Sequence, residues 1–516
     1  MSAPLFRFRL LLIVLAVGWS GCLVFEFRKP DVEPVDLVVP PVEVESPVRA
    51  HLLDGSIVVF RTGARFLGDF VLGEGERYAV DATFTGRVAQ IALDSVAAME
   101  TYTTDIREPQ SFAATLGVST LLTVGSVALF KAIFGSCPTT YADSAGVPVL
   151  QAELFSNSVA PLLEMRDVDR LRAHPDASGA LRLDVRNEAL ETHYLNHLEL
   201  IEVAHAEDEI AVPAPFGQAY GLRHAISPRN ATDRAARDVR ALLATEDAVA
   251  YQTAESVLDS VTEDDPTDWI ELAFPAPASD SSAVLLRLRN SLFSTVYFYE
   301  FMLAQQGADA LDWIHTGLSN VSAAIEMGDF YVQRMGLRVE VWEDGTWRET
   351  GRVTEVGPIA WSEVAVAFPT PPGPEVRVRL RFVADAWRID RVALTEVRLL
   401  PTRTVPLDRV EEAPPIGDTD AAARLRRPDR AYLMTYPGER FTAVFEPRPS
   451  SAPARSFFLA AQGYYIEWMR GDWLRERVAG EPFRADDATL VAALRRWQQA
   501  KPAYEAQFEA TRLPVR

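Results

Sequence analysis

The stretch between residues 337 and 394 constrains the fold most, because its apolar and polar side chains alternate. Within residues 376–382, valine, leucine and phenylalanine alternate with Arg377, Arg379 and Arg381. Residues 337–342 alternate in the same way and lead into Asp344-Gly345, a pair typical of hairpin turns. A period of two places successive side chains on opposite faces of a strand. The pattern therefore predicts antiparallel β-sheet with one buried face.

We expect a mainly β protein with some α-helix. The expected order is a small N-terminal β unit at 48–108, a hydrophobic helix at 109–135, a β domain at 136–230, a jelly-roll-like β-sandwich at 231–400, and β elements with a C-terminal helix at 401–516. The 516 residues suit about three folded units of roughly 100–200 residues each. A hydrophobic content of 48% with 24% charged residues is typical of globular chains.

A candidate internal repeat lies on either side of the strongly alternating region at residues 336–400. Residues 274–279 (Phe-Pro-Ala-Pro-Ala-Ser) are similar to residues 445–450 (Phe-Glu-Pro-Arg-Pro-Ser). Each segment is predicted to form a Pro-rich loop between two strands, as expected for repeat-related β elements, although chance produces such similarity as well. A helix is expected over residues 486–508, and Pro502 should kink or end it.

The N-terminus has the features of an export signal. Arg7 and Arg9 precede an apolar run at residues 10–17, and Ser20-Gly21 stands directly before Cys22. This stretch resembles the lipobox of bacterial lipoproteins, in which the cysteine is lipidated, although Trp19 departs from the pattern. The resemblance implies lipidation at Cys22; the alternative is an uncleaved signal anchor. Leu23 is not the aspartate that retains lipoproteins at the inner membrane, so outer-membrane placement facing the periplasm is expected.

Two segments after Cys22 bear on how the body is held at the membrane. Residues 23–47 are rich in proline, which favours an extended tether, with a partly ordered strand on the body as the alternative. Residues 111–130 contain no charge and are long enough to span a bilayer, but hydroxyl residues and glycines dilute their hydrophobicity. The sequence allows two interpretations of this segment, a membrane-inserted helix and a buried helix. We expect 48–104 and 137–516 to lie on the same side of the membrane.

The net charge limits the classes of partner that this protein can bind, and the cysteine count limits its disulfides. A net charge of −21 argues against nucleic acid and against adhesion to anionic head groups. The expected partners are the membrane, through the lipid anchor, and envelope proteins or glycans. The two cysteines, Cys22 and Cys137, exclude a disulfide framework.

No catalytic residue, metal site or cofactor is predicted. The Gly-x-Ser-x-Gly elbow, Gly-rich phosphate loops and the His-Glu-x-x-His helix are missing from the sequence. The best metal candidate is the pair His193 and His197. On a strand, these residues would face the same side about 13 Å apart, too far for one zinc ion with bonds to nitrogen of about 2 Å. On a helix they could chelate, but the surrounding alternation favours a strand.

Residues 387–394 (Trp-Arg-Ile-Asp-Arg-Val-Ala-Leu) resemble the closing strands of galactose-binding-like jelly rolls. The resemblance supports a β-sandwich and makes Trp387 and Asp390 candidate binding residues. The apolar neighbours of Trp387 at 389, 392 and 394 instead place its side chain in the core.

A second resemblance covers residues 50–470. Ser136-Cys137-Pro138 with Tyr141, the stretch Asn187-Glu188-Ala189-Leu190-Glu191-Thr192, and Gly463-Tyr464-Tyr465 resemble motifs of a group of uncharacterised bacterial envelope proteins. This resemblance implies no activity. Cys137 is either a redox or attachment site or a buried small residue.

These observations predict a membrane-anchored envelope lipoprotein with a non-catalytic binding or assembly role. The first alternative is a glycan-binding module in the jelly-roll-like region at 281–400, which exposed aromatic side chains on one concave face would support and a fully packed face would not. The second is an envelope enzyme that uses carboxylates, which two carboxylates with raised pKa in a deep cleft would support.

Overall fold

The computed structural model describes residues 31–34, 43–44, 48–52, 56–78, 84–103, 137–310, 313, 318, 321–354, 356–413, 421–429, 431–468, 486–513 and 515. The predicted signal with Cys22 and the predicted hydrophobic helix at 109–135 lie outside these residues. In the described part of the chain, no helix is both long and apolar enough to cross a membrane.

The N-terminal unit is an eight-stranded antiparallel sheet of order β1-β8-β3-β4-β6-β5-β2, with β7 beside β6. Its own small core includes Val48, Phe60 and Val71. Strands β1 and β2 fall within the predicted tether, so two parts of that segment pair with the sheet. The strands are β1 (Asp31–Pro34), β2 (Glu43–Val44), β3 (Val48–Leu52), β4 (Ile57–Phe60), β5 (Ala64–Leu67), β6 (Phe70–Tyr78), β7 (Phe84–Ala92) and β8 (Val96–Thr103).

The next five strands begin a second sheet. They are β9 (Thr139–Ser144), β10 (Val147–Glu153), β11 (Met165–Leu171), β12 (Leu181–Arg186) and β13 (Glu191–His205). Strands β9 and β10 form a hairpin whose two turn residues, Ala145 and Gly146, both have positive φ. Positive φ at both positions matches the twist of a tight hairpin. This sheet is completed only by strands that follow residue 400.

Between the two halves of that sheet lies a β-sandwich, and the predicted sandwich fold is confirmed. Its two antiparallel sheets have the orders β14-β15-β23-β18-β21 and β16-β17-β22-β19-β20. The strands are β14 (Ile210–Pro213), β15 (Ala219–Ile226), β16 (Asn230–Asp233), β17 (Thr267–Pro275), β18 (Ser281–Asn290), β19 (Leu337–Glu343), β20 (Thr346–Val353), β21 (Ser362–Pro369), β22 (Glu375–Val383) and β23 (Trp387–Leu400). The α-helices described alongside them are α1 (Glu255–Ser260), α2 (Leu292–Val296) and α3 (Val321–Asp329), and π-helical turns at Tyr297–Leu303 and Phe330–Met335 continue α2 and α3.

The chain then returns to the second sheet through β24 (Thr402–Glu411), α4 (Ala421–Leu425), β25 (Leu433–Thr435), β26 (Arg440–Phe445) and β27 (Ala454–Glu467). The completed nine-stranded sheet has the order β10-β9-β12-β26-β24-β13-β27-β11, with β25 beside β13. The first half of β24 pairs with β13 and the second half with β26, so the sheet folds back on itself there. We call it the curved sheet.

The curved sheet and the sandwich share a strand order. In the curved sheet β12 pairs with β26, and β13 pairs with β27. In the sandwich β17 pairs with β22, and β18 pairs with β23 in the same way. The outer partners β9, β11 and β24 then match β16, β15 and β21. The two segments of the candidate repeat, 274–279 and 445–450, connect β17 to β18 and β26 to β27. The repeat would therefore relate β17 and β18 to β26 and β27. The strand order instead relates β17 and β18 to β12 and β13.

The predicted C-terminal helix is confirmed as α5 (Asp487–Ala510), which continues past Pro502. Its buried stripe of Leu490, Leu494 and Trp497 faces the core. Trp497 Nε1 donates to Asp385 Oδ2 at 2.8 Å, and Lys501 Nζ lies 3.1 Å from the same oxygen. These contacts fix α5 against the turn between β22 and β23.

The N-terminal unit packs against the curved sheet through two arginines. Arg49 is fully buried, with its guanidinium 5.0 Å from the ring centre of Trp468. Arg61 forms an ion pair with Glu439, and its guanidinium lies 4.6 Å from the ring centre of Tyr436. The two units therefore contact each other directly.

Candidate functional site

The outward face of the β16–β20 sheet carries tryptophans and arginines. Alternation along β17 and β22 sends Ile270, Leu272, Val378 and Leu380 into the sandwich and the residues between them outward. Side chains on this face are only partly buried. We call it the aromatic–arginine face, defined by Trp269, Trp342, Trp347, Arg338, Arg352, Arg377, Arg379 and Arg381.

Guanidinium groups hold the tryptophan rings of this face in place. Arg379 lies 4.3 Å from the ring centre of Trp347 and 5.6 Å from that of Trp269. Arg377 lies 4.8 Å from the ring centre of Trp342. The rings of Trp342 and Trp347 meet edge to face, with centres 5.1 Å apart. Cation–π and edge-to-face contacts of this kind restrain the rings before any ligand arrives.

Three arginines lie side by side across the same face. In the strand register Arg381 is opposite Arg338, and Arg338 is opposite Arg352; Trp269 is opposite Arg381 at one end. We call Arg381, Arg338 and Arg352 the arginine row. Burial, followed by the charges of Arg352 and Arg381, lowers the pKa of Arg338 below its usual value. The row is a local concentration of positive charge on an acidic protein.

A second polar cluster is buried around Glu153, between the curved sheet and the loop that precedes β21. The Glu153 carboxylate, at the end of β10, accepts hydrogen bonds from the backbone N–H groups of Ile359 and Ala360 at 2.8 and 3.1 Å. A Cβ on Gly357 would lie 2.2 Å from its carboxyl carbon, so the loop approaches this closely only with glycine there. Burial raises the pKa of Glu153 to about 7. The carboxylate thus joins the curved sheet to the sandwich.

Cys137 lies in this cluster. Its Sγ is 3.6 Å from Glu153 Oε1 and 3.1 Å from Ser156 Oγ, and the residue is 1% exposed. Of the two interpretations made from the sequence, this burial favours a buried small residue. Asp167 nearby accepts from the backbone N–H of Phe155 at 3.0 Å, and burial raises its pKa to about 6.

The third polar group lies at the start of β13, which contains the candidate metal ligands. His193 Nε2 lies 3.0 Å from Glu191 Oε1, and burial lowers the pKa of His193 to about 3. The predicted strand is confirmed, but a bulge between Leu195 and His197 changes the register. His193 and His197 therefore lie on opposite faces, which corrects the expectation that both face the same side. Within the described ranges, no three His, Cys, Asp or Glu residues are placed to hold a metal ion.

Trp387 and Asp390, the candidate binding residues, both lie in the interior. Trp387 is 1% exposed, as expected for a core residue, and its Nε1 donates to the carbonyl oxygen of Met335 at 3.0 Å. Asp390 is fully buried and paired with Arg287. Neither side chain reaches the surface.

The sequence interpretation did not single out Trp269, Trp342 and Trp347. Their signal was present in the alternation, because Trp342 continues the outward positions of Arg338 and Glu340 in β19. Alternation does not predict the order in which β17, β22, β19 and β20 lie in the sheet. That order brings the three rings to one face.

Comparison with known proteins adds little. No protein-family model matches this chain, and no curated protein matches it. One similar solved structure is described as the structure of allantoicase; it is 11% identical, with a TM-score of 0.16, over 50% of this chain and 90% of that one. Another, the GH31 α-xylosidase from Xanthomonas citri, is 11% identical, with a TM-score of 0.14, over 84% of this chain and 38% of that one. Similarities this distant carry no argument about function.

Proposed function

We propose that this protein is a membrane-anchored envelope lipoprotein with a non-catalytic binding role, and that it binds glycans through the aromatic–arginine face. The observation that carries the proposal is the set of three partly exposed tryptophans on one face of the sandwich, Trp269, Trp342 and Trp347. Aromatic rings offer an apolar surface to the C–H face of a sugar, and arginine supplies donors for its hydroxyl groups. Trp and Arg are also the residues that most often dominate binding surfaces.

The packing of the N-terminal unit supports the expected topology. Arg49 contacts Trp468, and Arg61 pairs with Glu439. Side chains in contact must lie in one compartment, so these contacts favour placement of residues 48–103 and 137–513 on the same side of the membrane. With lipidation at Cys22, the whole body would then face the periplasm from the outer membrane.

Trp342→Ala should weaken glycan binding about tenfold or more, because loss of an aromatic anchor at a binding surface commonly costs over 1 kcal/mol. The full chain is applied to an array of purified bacterial envelope polysaccharides, and affinities are measured for those it retains. Phe216→Ala is the control, since Phe216 is a fully exposed aromatic residue outside this face. Equal losses in both variants, or unchanged binding by Trp342→Ala, would contradict the proposal.

Cys22→Ser should abolish incorporation of labelled fatty acid and release the protein from the membrane fraction. The expectation follows from the lipobox-like stretch ending at Cys22. Cys137→Ser is the matched control and should leave acylation unchanged. Membrane retention of Cys22→Ser, with no acylation of the wild type, would show an uncleaved signal anchor instead.

A second candidate function, an envelope enzyme that uses carboxylates, is favoured by the raised pKa values of Glu153 and Asp167. Both carboxylates, however, accept backbone hydrogen bonds from adjoining segments. Such contacts account for their burial through a structural role, and glycan binding therefore remains the preferred proposal.

A further inference from the structure

We propose that the arginine row binds the carboxylates of an acidic glycan, so that the ligand of the aromatic–arginine face is a uronic-acid polysaccharide. This inference rests on the glycan-binding function proposed above and adds the chemical class of the sugar.

In the adjacent row of the same sheet, the charge of an arginine is neutralised by glutamates of this protein. Arg379 has Glu271 and Glu340 as its cross-strand neighbours, and it forms ion pairs with them at 2.6 and 3.7 Å. Each glutamate is in register with the guanidinium that it neutralises. The positive charge of Arg379 is thus matched within its own row.

The arginine row is built differently, because Arg338 has an arginine on each side. Its guanidinium donates to the carbonyl oxygen of Gln333 at 3.2 Å, and among the residues that the structure describes it forms no ion pair. Like charges directly opposite each other destabilise a sheet. The centre of the row therefore carries an unfavourable repulsion that the carboxylates of a ligand would offset.

Within the described part of the chain, ion pairs form only at the two ends of the row, while Glu349 and Glu340 act on Arg338 from a longer distance and partly offset the lowering of its pKa. Arg381 lies 3.7 Å from Asp265, and Arg352 lies 2.7 Å from Glu349. With a net charge of −21, the protein as a whole would repel an acidic polymer. A local cationic row on such a protein favours docking of an acidic polymer in one place and one orientation.

The spacing of the row suits a polymer with one carboxylate on each sugar ring. Neighbouring strands lie about 4.8 Å apart, so the backbone positions of the three arginines recur at about that step across the sheet. Sugar rings repeat at a comparable step along a glycan. An arginine can hold a carboxylate with two parallel hydrogen bonds. Arg352 already holds Glu349 in this way, so Arg338 and Arg381 are the members of the row that would bind the carboxylates of a ligand, and Trp269 offers a ring at the end of the row. Isolated phosphate groups would match this regular spacing less well.

Arg338→Gln tests the inference, because glutamine removes the charge and can still donate to Gln333. The probes are an oligogalacturonate and its carboxyl-reduced, neutral counterpart, titrated into the full chain at low ionic strength. The wild type should bind the acidic form at least tenfold more tightly than the neutral form. Arg338→Gln should lose about tenfold in affinity for the acidic form only. Its melting temperature should stay level or rise, because repulsion within the row is relieved.

Arg348→Gln is the matched control. Arg348 lies on β20 opposite Val341, outside the row, and its loss removes the same charge from the neighbouring strand of the same sheet; its effect on affinity should be small. Equal affinity for both probes, a preference for a phosphorylated oligosaccharide, or a lower melting temperature in Arg338→Gln would overturn the inference while leaving glycan binding in place. Binding of neither probe, together with an unaffected Trp342→Ala variant on the polysaccharide array, would overturn both proposals.

Discussion

Trp387→Ala is expected to lower the free energy of unfolding by about 3–5 kcal/mol, the usual cost of removing a large buried aromatic side chain. The indole is buried at the start of β23, and its Nε1 donates to the carbonyl oxygen of Met335. The alanine variant therefore leaves a cavity and also a carbonyl without its donor. Urea unfolding followed by far-UV circular dichroism measures the change.

Trp387→Phe is the control for this prediction. Phenylalanine keeps an aromatic ring in the core but cannot donate to Met335, so the expected loss is smaller, about 1–2 kcal/mol. If Trp387→Ala keeps wild-type stability and loses glycan binding, Trp387 contacts the ligand and its assignment to the core is wrong.

Local pattern was sufficient to predict the strands of the sandwich. The alternation at residues 337–342 and 376–382 predicts β19 and β22, because a period of two with one apolar face has no other compact solution. The C-terminal helix followed from the same kind of reasoning, whereas the sandwich architecture was predicted from the resemblance of residues 387–394 to jelly rolls. The strands and the helix depend on residues that are close together in the sequence, so one sequence is enough to predict them.

Pairing between distant segments could not be predicted in this way. Strand β12 pairs with β26 and β13 with β27, although the entire sandwich separates them along the chain. Alternation fixes which side of a strand is buried, but many partners satisfy that condition equally well. The curved sheet, and with it the cluster around Glu153 and the polar group at His193, could therefore not be predicted from the sequence.

For the candidate site too, local features could be predicted from the sequence and the pairing of distant strands could not. The outward position of Arg338 followed from alternation, whereas its placement between Arg381 and Arg352 required the strand order. At His193 and His197 alternation itself failed, because one bulge in β13 reverses the faces beyond it. A bulge of this kind has no signal in the apolar pattern.

Glu153→Gln should change how stability depends on pH. Burial raises the pKa of Glu153 from 4.5 to about 7, so between these values the folded protein keeps a proton that the unfolded chain has lost. The contribution of Glu153 to stability is therefore fully present below about pH 4.5, falls as the pH rises towards 7, and stays lost above it. The fall corresponds to about 3 kcal/mol. Glutamine does not titrate, so the variant should gain stability relative to the wild type across this window.

The measurement is the difference in unfolding free energy between Glu153→Gln and the wild type at pH 4.5, 6 and 8. Using the difference matters, because burial also raises the pKa of Glu439 to about 7, and its contribution cancels when the two proteins are compared. The glutamine side-chain oxygen can still accept from Ile359 and Ala360, so the link between the curved sheet and the sandwich is kept. Glu263→Gln, at an exposed position outside the cluster, removes a carboxylate as control. A difference that stays constant from pH 4.5 to 8 would show that Glu153 is ionised in the folded protein, held by its two backbone donors despite its burial.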